Sequence, residues 1–163
     1  MGVFYSRSEL VTARAAWKRD GKRVVFTNGC YDVLHPGHIR LLERARSLGD
    51  ILILALNSDS SVARLKGPKR PLIGQDDRAA LALSLEAVDA VTLFDEDTPR
   101  ELISAVLPDV LVKGADWAHF VAGREEVEAA GGEVRLIPLE KGYSTTATVE
   151  EIVARRGTAD GRQ

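Results

Sequence analysis

Arg23-Val-Val-Phe-Thr-Asn-Gly-Cys-Tyr-Asp-Val-Leu-His-Pro-Gly-His38 is the stretch on which the fold turns. Up to Gly29 it is short, β-branched and closed by a glycine, the pattern of a strand buried on both faces. Beyond the turn, Ile39, Leu41, Leu42, Ala45 and Leu48 form an apolar stripe among Arg40, Glu43, Arg44 and Arg46, and Gly49 stops the helix. Strand, turn and helix in that order place the turn where an α/β sheet binds phosphate, against free amides and the positive end of a helix dipole. Gly29 permits close backbone approach. His35 and His38 fall at the helix start; Pro36 fixes the backbone between them and Gly37 leaves room for a ligand, so both imidazoles can face one site. The turn has no lysine, no Walker spacing and no G-x-G-x-x-G, which removes the P-loop and dinucleotide readings. Two histidines could also ligate a metal, but no third side-chain ligand stands at a suitable spacing, so no protein-held metal is expected.

Outward from the turn the same rhythm repeats. Leu10, Val11, Ala15 and Trp17 fall at helical spacing between Ser8 and Arg19, with Ser8 as N-cap, so residues 1–20 supply an N-terminal helix packed on the domain. Ile51 to Leu56, Ala90 to Phe94, Val110 to Val112 and Glu133 to Pro138 read as strands. Asp76 to Leu85, Pro99 to Val106 and Gly123 to Ala130 read as helices, and a last helix starts near Ser144. Alternation of this kind predicts an open parallel α/β sheet of about five strands with helices on both faces and the ligand at the carboxyl ends of the strands. One domain spans residues 1–156, and 157–163 form a frayed polar tail. Lys66-Gly-Pro-Lys-Arg-Pro-Leu-Ile-Gly74 breaks the rhythm. It is either a loop that closes over an anion or a solvated connector, and with few apolar anchors it is expected to be mobile until ligand binds.

A formal net charge of −2 with interspersed signs provides no field for a polyanion, so nucleic acid and an anionic membrane are not expected partners. The single cysteine, Cys30, rules out an intramolecular disulfide and fits a reducing compartment. The start of the chain lacks a signal-peptide pattern and no stretch reaches membrane-spanning length, so a cytoplasmic location is expected.

The segment Thr27 to His38 resembles the H-x-G-H signature of the cytidylyltransferase-like nucleotidyltransferases, whose histidines contact triphosphate. Further segments follow in order: Leu56-Asn-Ser-Asp59, Leu65-Lys-Gly67 with Arg70-Pro71, Gln75 to Arg78, Glu86-Ala-Val-Asp89, Phe94 to Pro99, Pro108 to Gly114 and Ser144-Thr-Thr146. Together, from about Lys22 to Ile152, they look like the D-glycero-β-D-manno-heptose 1-phosphate adenylyltransferases; Tyr31 stands where phenylalanine is more usual. The resemblance implies a Rossmann-like fold and transfer of AMP from ATP, with magnesium carried on the triphosphate, to a sugar 1-phosphate. A separate sugar kinase would act in the same pathway, and a homodimer is left open.

Nucleotidyl transfer needs positioning and charge stabilisation rather than a protein nucleophile. His35 and His38 would donate to the phosphates and Lys66 would add a point charge, as the catalytic set. The resemblance makes Thr27, Asn28, Gly29, Cys30, Gly37 and Asn57 nucleotide-binding, with Ser144, Thr145 and Thr146 capping the triphosphate; a plain helix N-cap is the alternative for the last three. Arg78 either reaches the nucleotide or pairs with Asp76 or Glu86. Arg70, Lys113 and Asp116 are placed on the acceptor side, where Asp116 either binds sugar hydroxyls or makes a turn. Asp32 joins them, ordering the loop rather than acting as a base, because a phosphate nucleophile is already ionised. The rivals are a glycerol-3-phosphate cytidylyltransferase and a catalytically silent nucleotide-binding module.

Overall fold

In the computed structural model, which describes residues 1–159, the strands are β1 (Val3–Phe4), β2 (Val24–Gly29), β3 (Ile51–Asn57), β4 (Ala90–Phe94), β5 (Val110–Gly114) and β6 (Glu133–Ile137). The helices are α1 (Arg7–Arg19), α2 (Pro36–Arg46), α3 (Asp59–Lys66), α4 (Gln75–Leu83), α5 (Arg100–Val106), α6 (Arg124–Ala129) and α7 (Thr145–Ala159), with a 3₁₀ turn at Ala115–Trp117. All six strands pair in parallel, in the order β1-β4-β3-β2-β5-β6. Side chains alternate across a strand, so each central strand feeds two cores. Val24, Phe26, Ile53 and Ala55 face Leu10, Leu102, Ile103 and Val127 on one side. Val25, Leu52, Leu54 and Leu56 face Leu42, Ala45, Ala79 and Ala82 on the other. Each Val, Leu, Ile or Phe among them contributes on the order of 2 kcal/mol when fully buried, which makes these two layers the main support of the fold.

The chain runs from β2 outward through β3 to β4, then returns to the other flank of β2 to form β5. Crossovers therefore leave β2 in opposite directions, and a crevice opens at the carboxyl ends of β2 and β5. Thr27 Oγ1 donates to the Val112 carbonyl at 3.1 Å and closes the floor of that crevice.

Several sequence expectations are corrected. The sheet has six strands rather than about five; β1 has only 2 residues, too short for any periodicity, and is held by Val3 N–H to Asp89 O and Tyr5 N–H to Val91 O. Ser6, not Ser8, caps α1, in a reciprocal box with Glu9. A helix, α3, occupies the stretch before the expected loop, capped by Ser58. The expected tail begins inside α7, which runs through Ala159, and residues 160–163 lie outside the described residues. Among the described residues no helix is long and apolar enough to cross a membrane.

Candidate active site

The turn after β2 is shaped by three rings and a glycine. Tyr31 takes a left-handed φ of 47°, folding its ring back over Gly29, where a Cβ would sit 2.8 Å from Tyr31 Cε2. α2 then starts with His35 as N-cap. His35 Nδ1 accepts the His38 N–H at 3.3 Å, and His38 Nδ1 accepts the His35 N–H at 3.4 Å. The two rings stack with centroids 3.7 Å apart and planes 14° from parallel. An Nδ1 that accepts carries no proton, so each neutral ring holds its hydrogen on Nε2. The reciprocal cap thus converts two histidines into adjacent Nε2–H donors at a helix N-terminus.

Burial lowers the pKa of His35, and burial together with the His35 charge lowers that of His38 to about 4. Both rings are therefore neutral donors near pH 7. An unfolded chain protonates His38 near its ordinary 6.5, so between about 4 and 6.5 it binds more protons than the folded one. The stability that His38 contributes is complete above that window and is lost as pH falls through it. Replacing His38 with glutamine is expected to flatten the rise of Tm with pH across this interval, as scanning calorimetry would read; an unchanged slope would show that the folded imidazole protonates freely.

The crevice holds a cavity of about 570 Å³, with a smaller lobe of about 160 Å³ beside it. Asn28, Gly29 and Cys30 supply its floor, and His35 with His38 one wall. Lys66, the last residue of α3, and Arg70 stand on a second side. Lys113, Asp116 and Ser144 to Thr146 enter from the β5 side, and Asn57 borders the cavity from β3. Thr27 borders only the smaller lobe, and its hydroxyl proton is committed to Val112, so it has none left to donate to nucleotide. Gly37 lines neither lobe; a Cβ there would meet His35 Nδ1 at 3.0 Å and Tyr143 Cβ at 3.1 Å, so the room it leaves is taken by protein.

Arg78 is corrected from nucleotide contact to internal brace. Its side chain is 0 % exposed and pairs with Asp59 at 2.8 Å rather than with Asp76 or Glu86. It also donates to the Cys30 carbonyl at 2.7 Å and the Ile73 carbonyl at 2.9 Å, tying the phosphate turn to the segment before α4. Asp32 is likewise withdrawn from substrate: its side chain is 1 % exposed. Oδ1 accepts from Leu72 N–H at 2.8 Å and Ile73 N–H at 2.9 Å, and Oδ2 accepts from Arg70 Nε at 2.6 Å. Burial alone would raise the Asp32 pKa, but the Ile73 and Leu72 amides and Arg70 outweigh it and hold the carboxyl below its usual range.

The segment after α3 is therefore anchored through polar contacts that a search for apolar anchors passes over. Asp32→Asn replaces one acceptor with a donor facing Arg70 and two amides. About tenfold or more loss of hydrogen-exchange protection at Leu72 and Ile73 is expected, the scale of one charged hydrogen bond. Unchanged protection would mean that the segment is held by other means.

Asn57 is buried and donates to Ser61 Oγ at 3.0 Å, bracing the start of α3, while its Oδ1 lies 3.8 Å from Cys30 Sγ. Burial pushes the Cys30 thiol up. Lys113 ends up half-buried at the end of β5; burial lowers its pKa against the opposing Asp116 charge, and its Nζ lies 5.3 Å from the Trp117 ring centroid. Ser144 Oγ accepts from Ala147 N–H at 3.3 Å, so it does cap α7, and Thr145 Oγ1 donates to Val33 O at 3.2 Å. The sequence leaves unmarked the apolar rim that Phe120, Leu139 and Tyr143 form beside Trp117, all at least 40 % exposed. They sit outside the periodic elements, and no pattern marks them.

Two helix N-termini, two imidazole donors and the cations Lys66, Arg70 and Lys113 thus border one cavity. This arrangement suits a polyphosphate and charge that accumulates on its oxygens. Among the described residues no group of three or more His, Cys, Asp and Glu is placed to hold a metal ion.

Residues 26–151 match the family described as cytidylyltransferase-like. The bifunctional protein HldE of Geobacter sulfurreducens is 55% identical over 144 residues, 88% of this chain and 29% of its own length. That of Koribacter versatilis is 53% identical over 147 residues, 90% of this chain and 30% of its own. The chain thus spans about 30% of the length of these curated relatives. The crystal structure of the lipopolysaccharide core biosynthesis protein from Thermoplasma volcanium GSS1 superposes with a TM-score of 0.61 at 31% identity, covering 76% of this chain and 100% of that one. Pantoate-beta-alanine ligase from Francisella tularensis, complexed with beta-gamma ATP and beta-alanine, shares the fold at a TM-score of 0.64 and 13% identity, over 86% of this chain and 68% of that one.

Proposed function

The chain belongs to the cytidylyltransferase-like family, and from that premise we propose that it transfers AMP from ATP to a sugar 1-phosphate, D-glycero-β-D-manno-heptose 1-phosphate, forming ADP-heptose and pyrophosphate. The observation that carries the reading is the reciprocally capped pair His35 and His38, whose Nδ1 atoms are taken by the caps and which line a cavity shared with Lys66. An acceptor phosphate oxygen attacks the α-phosphorus, the bond to the bridging oxygen breaks, and charge gathers on pyrophosphate. His35, His38 and Lys66 would meet that charge, and no protein nucleophile or base is needed. Magnesium would come with the substrate, on the triphosphate, and would offset charge on its oxygens.

Identity above 50% to proteins called bifunctional HldE over most of this chain supports a heptose phosphate as acceptor. The word bifunctional, with the relatives' greater length, supports a sugar kinase as pathway partner. The need for ATP and a phosphorylated sugar supports a cytoplasmic reaction. Arg70, Lys113 and Asp116 would face the acceptor, while Asn28, Gly29, Cys30, Asn57 and Ser144 to Thr146 would border the nucleotide.

Pyrophosphate release, measured with ATP or CTP against the heptose 1-phosphate or glycerol 3-phosphate, tests the reading. Release from ATP only with the sugar phosphate is expected, and Lys66→Ala should slow it without lowering Tm, because an exposed terminal helix residue adds little to the core. Preference for CTP with glycerol 3-phosphate would reassign the acceptor and the base, and no release from any pair would leave a binding module.

A further inference from the structure

The histidine pair is part of a longer column of rings. Tyr31 lies against the inner face of His38, with centroids 4.8 Å apart and planes at 43°. His38 stacks on His35 at 3.7 Å, and Tyr143 covers His35 on the outer side at 5.8 Å, 19° from parallel. The Arg40 guanidinium lies 5.7 Å from the Tyr143 ring centroid and ends the column. Tyr143 belongs to the segment between β6 and α7, which is fastened over the start of α2 at several points. Glu140 takes Arg44 at 2.8 Å and Arg40 at 3.3 Å, and Thr145 holds the Val33 carbonyl. The bare Gly37 lets the Tyr143 backbone descend so far that a Cβ at 37 would stand 3.1 Å from Tyr143 Cβ.

The two imidazoles are unequally supported. His38 has a ring on each face, Tyr31 within and His35 without. His35 stacks closely on His38 at 3.7 Å, and its other near-parallel ring neighbour, Tyr143, stands further off at 5.8 Å. Its cap to His38 N–H is long at 3.3 Å, so that bond alone holds the ring loosely.

We propose that Tyr143 is a positioning residue that acts through His35, closing the outer face of the imidazole stack so that His35 keeps Nδ1 on its cap and presents Nε2–H as the donor. The consequence for turnover rests on the nucleotidyl transfer proposed above; the effect on His35 does not. An unclosed His35 ring turns about its side-chain bonds, gives up the cap and samples both tautomers. Both of its Nε2–H presentation and the reciprocal hold on His38 suffer.

The test uses the full chain and three variants, Tyr143→Ala, Tyr143→Leu and Tyr143→Phe. Ring ¹⁵N spectra of the ligand-free proteins report the His35 tautomer. Wild type and Tyr143→Phe should show a single Nε2–H form, and the alanine and leucine variants a mixture, because leucine keeps the bulk without the flat face. In pyrophosphate release, the alanine and leucine variants should lose about tenfold in kcat with a smaller change in the KM for ATP, the cost of a donor displaced rather than deleted. Tyr143→Phe should recover the wild-type rate. A single His35 tautomer in Tyr143→Ala overturns the proposal, as does a Tyr143→Phe enzyme as slow as Tyr143→Ala, which would assign the hydroxyl to substrate. Failure of the wild type to transfer AMP to the sugar phosphate would sink the reading of function, while the ring spectra would still decide how Tyr143 acts on His35.

Discussion

Replacing either His35 or His38 with alanine lowers kcat by about a hundredfold or more, the scale of losing one preorganised donor at a site of developing charge. The expectation is sharper than for two independent donors, because each ring caps the other's backbone N–H. Removing one ring strips the survivor of its cap and its stacking partner, so the double variant should be little worse than either single one. The fold should persist: loss of the cap costs about 1 kcal/mol, and the two sheet cores are untouched. Steady-state kinetics of the three variants, with Tm as the control, check this. Additive losses in the double variant would mean that the rings act separately, and near-normal rates would return them to a structural role.

Arg78→Met is expected to destabilise the protein by about 2–4 kcal/mol, a fall in Tm on the order of 10 °C. The methionine fills the space of the stem but leaves the Cys30 and Ile73 carbonyls without their donor. The Asp59 partner is half-exposed and partly screened by solvent, so the buried carbonyls account for most of the loss. Turnover falls as well, since the brace sets the phosphate turn against the segment that carries Arg70. Thermal denaturation separates this from direct nucleotide contact. A raised KM for ATP at unchanged Tm would restore Arg78 to the nucleotide.

The sequence made β2, the histidine turn and α2 legible because a doubly buried strand and a capped amphipathic helix are written in consecutive residues. The same holds for β3 to β6, whose boundaries move by a few residues at most. β1 was hidden because its two residues gain their place only by pairing with β4. α3 was hidden because Asp59-Ser-Ser reads as loop, although Ser58 and Asp59 are a cap and a first-turn acid. Which residues border the cavity was largely readable from motif order. Which ones have spare valence was not: Asp32 meets Leu72 and Ile73, and Thr27 meets Val112, through contacts between distant parts of the chain. A polar residue in a motif looks the same on paper whether its oxygens face a ligand or a neighbouring amide.

Val24 pairs with Ile51 on one flank of β2, but Val25 pairs with Val110 on the other. Closing the longer loop costs more entropy before any contact rewards it, so the half from β2 to β4 gathers more readily than β5 arrives. His35, His38 and Lys66 lie in that early half; Lys113 and the start of α7 lie in the late one. A chain still waiting for β5 would own the proposed phosphate donors without the opposite wall and would hold nucleotide poorly. Under the proposed function, bound nucleotide would act as a rivet between early and late halves. At roughly 100 times its Kd it would add about 2.7 kcal/mol to the closed chain alone, so the stability of the folded protein would rise and fall with the nucleotide supply around it.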